Sequence, residues 1–159
     1  MIGDIHGRAD LLERLLAQLG DMPIIVVGDV CDRGPNTRGV VDLLISRGAI
    51  GVFGNHDIWF AAWAAGEGFD TLALGIGGTA TLASYGVAVA DAPSQGDSVP
   101  ADHRDWLLAL SVAIDQTVGT TRWWVVHAGI PSDTRSTELL SPRWSRRWPM
   151  SGRQTSFGA

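Results

Sequence analysis

Lysine is absent from this 159-residue chain: all 12 positive charges are arginine, set against 17 Asp and Glu, for a formal net charge of −5. That balance argues against a general nucleic-acid binder, whose footprint is basic. The arginines near the carboxy terminus make too weak a patch to reverse it. Cysteine occurs once, at Cys31, which excludes a disulfide framework and points to a reducing compartment, so a cytoplasmic location is expected. No apolar run reaches the roughly 18 residues of a membrane span. The amino terminus opens directly on Gly3-Asp4-Ile5-His6, which predicts no secretory leader. Charged residues make up only 18% and apolar ones 45%, which suits one globular domain and not a disordered acidic chain. Histidine is sparse as well: there are 4, and none follows His127.

What is present repeats one arrangement. Ile24-Ile25-Val26-Val27 leads into Gly28-Asp29, Ile50-Gly51-Val52-Phe53 into Gly54-Asn55-His56-Asp57, and Trp123-Trp124-Val125-Val126 into His127-Ala128-Gly129. Short β-branched or aromatic runs bounded by glycine read as buried strands. Only Met1-Ile2 stands in the equivalent place before Gly3-Asp4, so the first strand looks cut short against the usual five or so residues. Helices fill the intervals. One is expected to open at Asp10, with Glu13 completing a capping box and Leu11, Leu12, Leu15, Leu16 and Leu19 forming its stripe. Asn36 opens a second, with Val40, Val41, Leu44 and Ile45 as its stripe and Gly48 at its close. Others are expected over 58–65, 79–85 and 102–110. Strands alternating with helices predict an α/β fold. In such sheets the residues after the strands line the ligand crevice. That rule gathers Asp4, His6, Asp29, Asn55, His56 and His127 on one edge.

Asp and His together suit borderline divalent metals such as Mn, Fe or Zn, and one cysteine is too few for a thiolate site. Asp4 and His6, two apart, face the same side of an extended strand. Asp29 could bridge two ions, with Asn55 and His127 serving the second. A pair of ions forms a clamp for in-line displacement at phosphorus and lowers the pKa of a bridging water. Arg33 offers a forked donor set that matches phosphate oxygens. His56 could protonate a leaving oxygen, with Asp32 holding its other ring nitrogen.

Four motifs in order, Gly3-Asp4-Ile5-His6-Gly7, Gly28-Asp29-Val30-Cys31-Asp32-Arg33-Gly34, Gly54-Asn55-His56-Asp57 and Val126-His127-Ala128-Gly129, resemble the signature of calcineurin-like metallophosphoesterases. The match is to their phosphoprotein-phosphatase (serine/threonine phosphatase) branch. The segments 77–86 and 100–107 resemble its bacterial and phage members. The resemblance implies an α/β fold with a β-sandwich core flanked by helices, in place of a doubly wound sheet. It implies Asp4 and His6 on one metal, Asp29 bridging, Asn55 and His127 on the second, Arg33 on phosphate, and His56 with Asp32 as general acid and orienter. Two divalent ions, manganese foremost with iron or zinc as alternatives, would supply a bridging hydroxide. The substrate class implied is phosphoserine or phosphothreonine in proteins, with symmetrical dinucleoside tetraphosphates as the alternative.

The sequence also departs from that family. The family's further metal-ligating histidine, expected beyond the His-Ala-Gly strand, has no counterpart after His127. Its second phosphate-binding arginine is matched only by a distorted Leu139-Leu140-Ser141-Pro142-Arg143-Trp144-Ser145-Arg146, where Arg143 or Arg146 would stand in. Residues 1–140 are therefore read as an incomplete metallophosphoesterase domain, cut short at both ends, and 141–159 as an irregular tail. Two further readings stay open: a metal-binding remnant with little turnover, and a phosphate-binding module without hydrolysis. Of the remaining residues, Cys31 is read as passive, with an oxidation-sensitive thiol as the sharper version. His103 is read as surface, and Trp59, Trp63, Trp123 and Trp124 as packing.

Overall fold

In the computed structural model, which describes residues 1–129, the strands are short. β1 (Ile25–Val27) and β2 (Ile50–Val52) pair in parallel, with Ile25 opposite Ile50 and Val27 opposite Val52. Single parallel bridges extend this pair on both sides, from Ile2 to Val26 and from Val52 to Ser111. The stub at Met1-Ile2 is thus a real sheet position: Ile2 N–H donates to Ile25 O at 2.9 Å, and Val27 N–H donates to Ile2 O at 2.8 Å. A second sheet is the antiparallel hairpin of β3 (Ile114–Val118) and β4 (Thr121–Val125). It turns at Gly119, whose φ of +63° is the left-handed backbone that a tight hairpin requires. β1, β2 and β4 lie on the expected apolar runs; β3, with the sequence IDQTV, has no such run and is not among the expected strands.

Among the described residues six α-helices flank these sheets: α1 (Ala9–Leu19), α2 (Thr37–Ser46), α3 (Asn55–Ala64), α4 (Leu72–Gly75), α5 (Gly78–Ser84) and α6 (Ala101–Leu108). α2 carries the crossover between the parallel β1 and β2. It opens as expected at Asn36, whose side chain accepts the Gly39 N–H at 2.8 Å. α1 departs from expectation. Its N-cap is Arg8, and Asp10 lies inside the first turn, paired with the Arg8 guanidinium at 2.7 Å, so no capping box forms. Only Leu12 and Leu16 of its leucine stripe are buried, because the helix rests on the core along one narrow line. α3 starts three residues earlier than periodicity suggests, since Asn55, His56 and Asp57 form its first turn.

From Ile58 onward α3 is apolar around its whole circumference, as befits a helix enclosed by its neighbours. Phe60 and Trp63 are buried there with Val26, Val40, Val41, Leu44, Leu82 and Leu107. Trp59 and Trp63 pack as expected, and the Trp63 indole donates to Ala92 O at 2.7 Å. Trp123 and Trp124 do not. The hairpin runs outward from the core, so Trp123 is exposed, Trp124 is half-covered beneath the Arg122 guanidinium, and only Val125 is buried. His103 corrects the surface reading. It is fully buried because both ring nitrogens find partners, Tyr85 Oη at 2.9 Å and Asp42 Oδ1 at 2.9 Å. Arg143, Arg146 and the 141–159 tail lie outside the described residues.

Candidate metal centre

The segment after Ile2, the loop after β1, the first turn of α3 and the end of β4 converge on one edge. Backbone hydrogen bonds join the first two: Asp4 N–H donates to Gly28 O (3.1 Å), His6 N–H to Asp29 O (2.9 Å) and Gly7 N–H to Val30 O (2.9 Å). The approach is so close that a side chain at Gly28 would run into Gly54 and into the His127 ring. Among the described residues, every non-glycine residue with positive φ lies here: Asp4 (53°), His6 (44°), Asp29 (56°), Asp32 (70°) and Arg33 (64°). Such backbone strain persists only where surrounding contacts over-determine it, and it concentrates at functional sites.

Asp57 is a large part of that over-determination. Its buried carboxylate accepts the backbone N–H groups of Asp29, Val30 and Gly54, each at 2.8 Å. One side chain thereby ties the β1 loop to the start of α3. Burial pushes the Asp57 carboxyl above its ordinary pKa, while the three N–H groups pull the other way. Sequence reasoning did not assign it a role; its place in Gly54-Asn55-His56-Asp57 is the signal that could have found it.

The histidines share one orientation. His6 Nδ1 lies 2.8 Å from Cys31 O and His127 Nδ1 lies 2.7 Å from Val27 O. A carbonyl can only accept, so both rings carry a proton on Nδ1, and in the neutral ring it is Nε2 that is left bare. These two Nε2 atoms face opposite oxygens of Asp29: His6 Nε2 is 3.7 Å from Oδ2, and His127 Nε2 is 3.5 Å from Oδ1. His56 Nδ1 meets Asp32 Oδ2 at 2.7 Å, and its Nε2 lies 4.0 Å from Asp29 Oδ2. Arg33 reaches both His6 Nε2 and His56 Nε2, at 3.0 Å each. Asp4 Oδ1 stands 3.9 Å from His6 Nε2 on an exposed side chain. Asn55 is exposed at the first position of α3.

This donor set fits a divalent cation. One ligand atom from each of His6, Asp29 and His56 lies within 4.8 Å of the others. Imidazole nitrogens oriented by carbonyls and carboxylates are the usual partners of such ions. The expected set had His6 and Asp29 as ligands and His56 as an acid; the distances bring all three together.

Around His56 one residue appears that sequence reasoning passed over, Thr81, and Trp59, read only as packing, gains a hydrogen-bonding part. Asp32 is fully buried and accepts from the Trp59 indole N–H at 2.9 Å and the Thr81 hydroxyl at 2.8 Å. Thr81 sits in the Gly77–Gly86 segment, and only its long-range approach to Asp32 reveals a role. Cys31 is buried with its thiol donating to His56 O at 3.2 Å. Burial drives the thiol pKa well up, so the sulfur stays protonated and inert. The passive reading of Cys31 therefore has its physical basis.

Comparison with known proteins follows the same lines. Serine/threonine-protein phosphatase 2 of Escherichia coli (strain K12) is 40% identical over 80 residues, covering 47% of this chain and 37% of that protein. A symmetrical bis(5'-nucleosyl)-tetraphosphatase of Acidovorax sp. (strain JS42) is 39% identical over 71 residues, covering 41% of this chain and 25% of that protein. Among solved structures, a candidate diadenosine tetraphosphatase superposes with a TM-score of 0.57 at 25% identity, covering 86% of this chain and 52% of that one. The aligned parts thus make up little more than a third of the first relative's length, and a quarter of the second's. The family model described as calcineurin-like phosphoesterase matches residues 1–150. Because that match takes in each of the strand-end loops and the hairpin, the chain belongs to the calcineurin-like phosphoesterase family.

Proposed function

We propose that this edge hydrolyses phosphate esters with two divalent ions held by Asp4, His6, Asp29, Asn55 and His127. The observation that carries the reading is the division of Asp29: one carboxylate oxygen faces His6 and the other faces His127. A carboxylate so divided suits a ligand shared between two ions. Ions at these donors supply charge stabilisation at phosphorus and make water acidic enough to serve as nucleophile near neutral pH. The mixed nitrogen and oxygen donors suit manganese, with iron and zinc as alternatives.

The chain's own groups do the rest. Arg33 binds two oxygens of the phosphoryl group through its fork. Asp32 accepts the Nδ1–H of His56, so the proton that His56 delivers to the leaving oxygen sits on Nε2. A protonated Nε2 no longer accepts from Arg33, which frees the guanidinium for phosphate. The buried Asp32 carboxylate stabilises the imidazolium until the proton has passed.

The substrate we favour is phosphoserine or phosphothreonine in a protein, supported by the 40% identity to the phosphatase of Escherichia coli. The second reading, a symmetrical dinucleoside tetraphosphate, is favoured by the 39% identity to the tetraphosphatase. The lone buried cysteine supports a cytoplasmic setting. In parallel assays with manganese, the first reading predicts inorganic phosphate from a phosphothreonine peptide, at least tenfold faster than adenosine diphosphate from diadenosine tetraphosphate. The reverse ratio transfers the assignment to the nucleotide. His56→Ala should lose at least 100-fold in rate while still binding manganese; loss of manganese binding instead would make His56 a ligand.

A further inference from the structure

Asp32, on the loop after β1, joins α3 to α5 and, through Thr81, to α2. Its Oδ2 accepts from His56 Nδ1–H at 2.7 Å and from Trp59 Nε1–H at 2.9 Å, both from α3. Its Oδ1 accepts from the Thr81 hydroxyl at 2.8 Å, and its backbone N–H donates back to Thr81 Oγ1 at 2.8 Å. The remaining contact of Thr81 Oγ1 is Thr37 Oγ1 of α2, at 3.0 Å. A hydroxyl has one proton and two lone pairs. The Thr81 proton goes to Asp32 Oδ1, so one lone pair takes the Asp32 N–H and the other takes the Thr37 hydroxyl proton. Every valence of the Thr81 hydroxyl is committed, and two of its three bonds go to one residue.

We propose that Thr81 is a positioning residue for the proposed proton transfer, clamping Asp32 by main chain and side chain together so that His56 presents Nε2 to the substrate. Trp59 is the second donor of the same clamp. This inference rests on the reading of His56 as the proton donor. The geometry explains why a clamp is needed. Asp32 stands in the left-handed region at φ +70°, on a loop with no regular secondary structure to fix it. A carboxylate held only by the imidazole could rotate about its side-chain torsions and carry the ring with it. With Oδ1 and the backbone N–H pinned to α5, the carboxylate plane is set, and Oδ2 is left to hold Nδ1–H. The tautomer and the direction of Nε2 follow.

Thr81→Val preserves the shape of the side chain and removes only the hydroxyl; Thr81→Ser keeps the hydroxyl and removes the methyl. Trp59→Phe removes the indole donor independently, in case Thr81→Val perturbs folding. With the full chain and manganese, Thr81→Val should lower kcat on a chromogenic aryl phosphate about tenfold, part of the roughly 10²–10⁴-fold that a positioned general acid contributes. KM should stay within about twofold, Thr81→Ser should recover most of the rate, and Trp59→Phe should fall between. The second readout needs no metal and no turnover. In the nitrogen-15 spectrum of the metal-free protein, wild-type His56 should be the Nδ1–H tautomer, and Thr81→Val should show mixed tautomers or a mobile ring. A wild-type His56 spectrum in both Thr81→Val and Trp59→Phe would overturn the proposal. If instead the spectra change as expected while His56→Ala retains its full rate, the clamp stands and the proton-donor reading falls.

Discussion

Arg33 donates through both terminal nitrogens to the Nε2 atoms of His6 and His56, at 3.0 Å each. The His6 lone pair is also one that the proposed ligand set needs. Arginine and cation therefore compete for it, and each repels the other by charge. Arg33→Ala removes both the competing hydrogen bond and the repulsion. Titration calorimetry should find manganese bound roughly five- to tenfold more tightly, the equivalent of about 1 kcal/mol for a hydrogen bond no longer surrendered. In the same variant KM for an aryl phosphate should rise at least tenfold, because the fork that meets the phosphate oxygens is gone. Weaker manganese binding in Arg33→Ala would show that the guanidinium supports the ligands instead of competing with the ion. His6 is oriented by its bond to Cys31 O whichever partner its Nε2 takes.

At the level of elements, the site depends on where helices begin. α2 opens at Asn36, which also donates its backbone N–H to Gly7 O at 3.0 Å and so ties the helix start to the first loop. Asn36→Ala keeps that backbone bond and loses the side-chain cap, so it should lower stability by about 1 kcal/mol, read from the denaturant midpoint at constant slope. The Asn36 cap was legible because the cap and the apolar stripe of Val40, Val41 and Leu44 are both local features. The strand-end positions of Asp29 and His127 were legible for a related reason: glycine-bounded β runs mark where a strand stops. Asp4 and His6 were expected on an extended strand, and their left-handed φ of 53° and 44° overturns that expectation. The α1 start was misread because Arg8, two residues before Asp10, captures the carboxylate that a capping box would use. Trp123 looked like core because its run is apolar, yet a hairpin that leaves the core exposes its strands whatever their residues. Thr81 was not legible at all. It is 49 residues from Asp32, and its role exists only once α5 has packed beside the β1 loop.

For the molecule as a whole, short strands and a compact set of loops gather the candidate site residues on one edge of a mixed α/β body. No helix among the described residues is long and apolar enough to cross a membrane. The strained loops are held by buried carboxylates that accept from several donors: Asp57 by three backbone N–H groups, and Asp32 by an imidazole, an indole and a hydroxyl. Asp29 is the carboxylate in the middle, facing a histidine on either side, and the central claim is that it serves two cations in phosphoester hydrolysis. The most direct test is the rate of aryl phosphate hydrolysis by the full chain across a manganese titration, for wild type and for Asp29→Asn. The account predicts a rate that rises with manganese and is abolished by a chelator. It predicts a loss of at least 100-fold in Asp29→Asn at saturating metal, because a direct ligand is worth more than the outer-shell partners that cost 10–100-fold. A wild-type rate indifferent to manganese and chelator, or an Asp29→Asn variant as fast as wild type, would contradict it.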